Sequence, residues 1–356
     1  DVAAGDVTDN KAYMRAGSAA RLIGGVVNGA SATGKASGNR AEVSNGSSAF
    51  IAGALISDTG ATGEASDNHA VVSGANAPLG DIYGGITNGT GAAKNNTATI
   101  SGSIAANDVV GGQSMTGDAE GNKAEFTQAT ANNVRGARII GSGTASAVNN
   151  EATIAGGTVN GAVAGAEIQG AATGAVQDNT LTVTGGTVSG DSYGGITNGT
   201  GDAVHNGVVV SGSSTNLSNV YGGFASSGSA TKNYVTFADA SAQSITAGRT
   251  GGAGAVSDNK VEMTSGSSAN GVTGGLSYGS GMVSGNKVEI KGGTVGGNIF
   301  GGYNTGTGAA SSNTVELTGG TITANVYGGS AGSGAADTNT VTVKKNVTGN
   351  VFGGNA

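Results

Sequence analysis

The chain has 356 residues, and 71 of them are glycine, about three times the usual share. Charged residues make up 11%, aromatics 4%, and there is one proline, no cysteine and no tryptophan. This excludes collagen, disulfide scaffolds, thiolate metal sites and cysteine nucleophiles, and a net charge of −7 with scattered Lys and Arg argues against nucleic acid as a partner. No apolar run is long enough for a membrane-spanning helix, so no direct membrane insertion is expected, and residues 1–20 lack a signal-peptide pattern. Low net charge with recurrent Val and Thr points to ordered strands and tight turns.

One asparagine recurs along the whole chain, at Asn10, Asn39, Asn68, Asn96, Asn122, Asn150, Asn179, Asn206, Asn233, Asn259, Asn286, Asn313 and Asn339. The thirteen units are spaced by 26 to 29 residues. Five residues before the asparagine stands Gly in twelve units, Ala145 being the exception, and three before it stands Ala or Val in all thirteen. Two and four residues after it the side chain is always apolar, as in Ala70/Val72, Leu181/Val183 and Val315/Leu317, with Lys, Thr or Glu mostly between. Period-two alternation predicts a half-buried strand, and shared parity puts the asparagine inward at its start.

A second strand is expected to end in an apolar pair followed by a Gly-Gly corner, as at Ile82-Tyr83-Gly84-Gly85 and Val326-Tyr327-Gly328-Gly329. Residues such as Ile86–Thr90 would then form a short third segment leading to the next unit. Such a unit cannot bury its apolar face alone, but stacked as one coil per unit it can, with like residues over like at a spacing of about 4.8 Å. The expected fold is all-β: a parallel β-solenoid of about 13 coils, right-handed as parallel crossovers usually are, spanning residues 1–356 as one array roughly 60 Å long. The asparagines would form an inward amide ladder.

The unit Gly-x-Ala-x-x-Asn-x-Val-x-apolar, then Gly-Gly-Thr-Val-x-Gly-Asn-Val-Tyr-Gly-Gly, is matched best at Gly281–Gly302, Gly308–Gly329 and Gly334–Gly354. It resembles the passenger repeats of large type V autotransporter adhesins of Gram-negative bacteria. The resemblance implies a non-enzymatic surface protein displayed beyond the outer membrane, mediating or spacing attachment to a host or bacterial surface protein or glycan. It also implies a segment of a longer passenger, and uncapped sheet edges would allow end-to-end self-association. The alternatives are a polysaccharide-acting enzyme of the tailspike or lyase type and a self-stacking structural filament.

No catalytic residue, cofactor or metal site is expected. His69 and His205 lie five units apart, and Glu262, Glu289 and Glu316 stack with Lys260 and Lys287 beside them, as a charged solvent face would. Asp9, Asp67, Asp178 and Asp258 precede ladder asparagines without forming a cage. Tyr83, Tyr193, Tyr221, Phe300, Tyr327 and Phe352 share one column with Ile23, Val110 and Ile140, which suggests a structural role. Departures from the repeat are the better contact candidates. One is Arg135 and Arg138, read as replacing a Thr-Val-x-Gly-Asn stretch; the favoured one is Phe224, Arg249, Tyr278 and Tyr303, a shallow patch for a protein or glycan.

Overall fold

Small residues at fixed spacing leave the chain little choice but to stack. The computed structural model describes residues 5–75, 77–213 and 215–356, and among these every regular element is a strand. The chain winds into a parallel β-solenoid of about 13 turns. One coil shows the plan: a two-residue strand (Val283–Ser284), the ladder residue Asn286, an alternating strand (Lys287–Ile290), a short pair (Thr294–Val295) and a groove strand (Ile299–Asn304). Each strand pairs in parallel with its counterparts in the coils before and after, so that Val288 lies between Val261 and Val315. The two-residue strands just before the ladder asparagines build a 12-stranded sheet, the longer strands together with Thr294–Val295 and Thr321–Ile322 build a 28-stranded sheet, and Ser18–Ala19 pairs with Ser47–Ser48.

Two expectations need correction. The third segment is not Ile86–Thr90: the short sheet is built from the Ala or Val three residues before each asparagine and its neighbour, as in Ala65–Ser66 and Ala310–Ser311. Nor does Gly-Gly end a strand. Asp81–Thr87 and Val326–Ala331 run straight through it.

The paired glycines of the groove strand are there for space rather than for turning. A Cβ on Gly84 would sit 2.6 Å from the backbone nitrogen of Thr97, and one on Gly302 would sit 2.5 Å from the Asn313 amide carbon. The groove strand is thus pressed onto the ladder and the strand that follows it. Ala54, Ala137, Ala166 and Ala247 occupy equivalent positions in other coils, so alanine is the upper size limit. The pinch divides the interior into a large lobe, with Val288, Ile290 and Ile299, and small lobes such as Val27, Ala36, Ile56 and Ala65.

The ladder runs along this waist. Asn39 through Asn313 are buried, and Asn259 is typical. Its Nδ2 donates to Asn286 Oδ1 (2.8 Å) and to the Ala230 carbonyl (2.9 Å), while its Oδ1 accepts from Asn233 N (2.9 Å) and Nδ2 (3.0 Å). Both donor hydrogens and both acceptor lone pairs are used, which is why a buried amide is tolerated here.

The residue just before each ladder asparagine is left-handed in every coil, with φ from 51° to 67°. Asp, Asn and Gly enter this conformation most readily, which explains Asp9, Asp67, Asp178 and Asp258. Those aspartates mark a backbone requirement.

Candidate functional site

Pressing Gly-Gly inward leaves an indentation outside, with a side chain on each rim. In coil eleven these are Phe300 and Tyr303, whose rings stack across it at 4.5 Å. The first rim repeats as Tyr193, Tyr221, Thr246, Thr273, Phe300 and Tyr327, and the second as Ile196, Phe224, Arg249, Leu276, Tyr303 and Ser330. The result is a groove along the solenoid. The sequence separates "column" aromatics from contact candidates, but the structure places both on the same groove. Phe300, Tyr327 and Phe352 stack at 4.8 and 5.0 Å, and Tyr193 on Tyr221 at 5.2 Å.

Arg135 and Arg138 do not replace a Thr-Val-x-Gly-Asn stretch. Arg135 pairs in register with Val110 and Ala164, and Arg138 with Gln113 and Glu167, so both are rim residues, and Arg135 rather than Ile140 continues the column. They form a compensated ionic plug. Arg135 binds Glu167, and Arg138 donates to Asp108 (2.9 Å), Gln113 (2.8 Å) and the Tyr83 hydroxyl (2.9 Å). Arg135 Nη1 lies 3.7 Å from Asp108 but makes no hydrogen bond. Burial pushes the Tyr83 hydroxyl up to about 12 despite Arg138 beside it, so this tyrosine stays a neutral donor or acceptor. Asp108, Gln113 and Glu167 are missed by sequence reasoning, and Tyr83 is read there only as a column residue; aligning Val134-Arg135-Gly136 under Val109-Val110-Gly111 brings them together.

Of the favoured patch, the structure brings three members together. The Arg249 guanidinium lies over the rings of Phe224 (4.9 Å), Tyr278 (5.0 Å) and Tyr221 (5.3 Å), and its Nη1 donates to the Tyr221 hydroxyl at 3.0 Å. Tyr303 stands apart, two coils along the same rim, stacked on Phe300. Tyr278 sits on a turn at the groove edge and is 49% exposed. Burial raises the Tyr221 hydroxyl above its ordinary range, with Arg249 opposing, and burial also raises Tyr193, which is bonded to Asp191. These rings are uncharged at any physiological pH.

The charged face is a lattice. Lys260 bridges Glu262 and Glu289, Lys287 bridges Glu289 and Glu316, and Lys291 reaches Glu262 and Glu289, at 2.6 to 3.6 Å. Burial pushes the Glu289 carboxyl up, but hydrogen bonds from Lys287 and Lys260 outweigh it and hold it at about 2, below its ordinary 4.5. A depressed folded pKa gives stability that is present above the ordinary value and lost as pH falls toward the depressed one. Between about pH 5 and pH 2 the wild type should therefore lose about 1–2 kcal/mol from this residue, after allowance for solvent screening, and Glu289→Gln should flatten that slope in urea melts.

The histidines do not meet. His205 Nδ1 lies 2.6 Å from Asp178 on an exposed turn, and burial together with Arg40 lowers the His69 pKa on another coil. Among the described residues, no three His, Asp or Glu side chains gather as a metal site.

No family model, no curated protein and no solved structure matches the chain. The reading of the groove therefore rests on its own chemistry.

Proposed function

We propose that the chain is a non-enzymatic protein of the bacterial surface, a segment of an adhesin-type autotransporter passenger that mediates or spaces attachment. The observation that supports this is the aromatic content of the C-terminal groove. Thr246 and Thr273 serve the fold at the positions where Tyr221 and Phe300 stand, so packing does not demand rings there. Rings and an arginine held at the surface of a stiff rod are the residue types that anchor recognition. The partner is a surface protein or glycan on a host or bacterial cell, and the chain is displayed beyond the outer membrane.

The test uses microspheres coated with the protein and scored for attachment to cultured cells and to other bacteria. The variant carries Phe224→Ser, Tyr278→Ser and Tyr303→Ser together. Wild-type beads should attach and variant beads should lose about tenfold, or ~1.4 kcal/mol, with a nearly unchanged melting curve. Equal attachment by both would remove the groove from the function. Reducing ends released from a polysaccharide would replace the adhesin reading with an enzymatic one.

A further inference from the structure

The groove is interrupted between two aromatic blocks. Tyr193, Tyr221 and Phe224 close it on one side, and Phe300, Tyr303 and Tyr327 on the other. In the two coils between, the first rim carries only Thr246 and Thr273, and the second carries Arg249 and Leu276. At ~4.8 Å per coil, the gap from Phe224 to Tyr303 is about 14 Å long, enough for one or two sugar rings.

Arg249 is the only cation on the two rims from the seventh coil onward, and it has no carboxylate partner among the described residues. This sets it apart from Arg135 and Arg138, which Asp108 and Glu167 neutralise. Its Nη1 is taken by Tyr221, its Nε is buried without a hydrogen-bond partner, and its Nη2 donates to nothing among the described residues. Buried unsatisfied donors are rare in native proteins and call for a physical reason. Three rings around the guanidinium hold it in place through their π-faces, which fixes a charge that water would otherwise disperse.

We propose that this gap binds a carboxylated sugar, a sialic or hexuronic acid. Arg249 takes the carboxylate, the faces of Tyr278 and Tyr303 stack on the sugar's C–H faces, and the half-buried Thr273 supplies a hydroxyl from the opposite rim. The planar guanidinium suits a carboxylate better than an ammonium does. An extended peptide fits less well. Each groove strand here is already paired in parallel on both sides, so its backbone has no edge left for strand addition. This inference rests on the reading of the groove as a binding surface.

The experiment titrates the intact protein with sialyllactose, a glucuronic-acid disaccharide, lactose and sialyllactose methyl ester. At least one acid should bind about tenfold more tightly than lactose and than the ester, and the difference should shrink at high salt. The preferred acid identifies the source. Arg249→Met should remove the preference, and Arg249→Lys should restore only part of it. The ester tests the carboxylate without touching the fold, so an unstable variant cannot obscure the result. Equal binding of acid and ester, or full binding by Arg249→Met, overturns the proposal. If wild-type beads attach to cells but no acidic sugar binds, this inference fails and the adhesin reading stands; if an acidic sugar binds but beads attach to nothing, the reverse holds.

Discussion

Asn259→Leu is expected to destabilise its coil and the two beside it by about 4 kcal/mol or more. The substitution takes the acceptor from Asn233 N and Nδ2, leaves Asn286 Oδ1 with only a backbone donor, and removes the side-chain donor of the Ala230 carbonyl. Each buried group so orphaned costs ~1–3 kcal/mol. The leucine also has nowhere to go, because the amide it replaces lies against Gly248. Coils touch only their neighbours, so the loss should stay local. Hydrogen exchange resolved by coil checks this: faster exchange centred on the ninth to eleventh coils is the expected pattern. A change below about 1 kcal/mol would show that the amides contribute little.

Gly254→Ala should cost about 2–3 kcal/mol, while Ala145→Gly, in the same column, should change stability by less than ~1 kcal/mol. The glycine five residues before each ladder asparagine points its missing side chain along the axis. A Cβ on Gly254 would run into the carbonyl oxygen of Gly228, and the same collision awaits Gly201 over Gly174 and Gly281 over Gly254. None of these three has a positive φ, so the requirement is steric and not conformational. At Ala145 the chain has already made room, and its side chain packs in the small lobe with Ala147 and Val176. Urea melts of the two variants side by side decide the matter, and equal effects would refute the steric account.

What could be read from the sequence was whatever repeats with a fixed parity. The ladder asparagines and the apolar pairs such as Val288 and Ile290 announce both a strand and its inward face, and stacking follows from the need to bury that face. Gly84-Gly85 was harder, because the same residue type serves turns and close approaches, and only the position of the Asn96 amide tells them apart. Arg135 was assigned to the wrong column because its coil has Gly136-Ala137 in place of the glycine pair. The groove itself was not legible. Tyr221 and Phe224 are three residues apart in an extended strand, which by simple alternation puts them on opposite faces. The glycine pinch between them turns both outward, and that is a property of the packed coil.

The backbone bonds between coils run along the axis of the solenoid, so a pull along that axis loads them one interface at a time. Each coil that peels away frees 26 to 29 residues, or roughly 90 Å of extended chain, in place of a rise of ~4.8 Å. Tension on the array is therefore relieved by large, discrete extensions, each limited by one rung of amides and the strand pairs around it. An array of this kind lengthens about nineteenfold before any covalent bond is strained. Because like residues meet like at most rungs, a released coil can rewind onto its neighbour when the force drops.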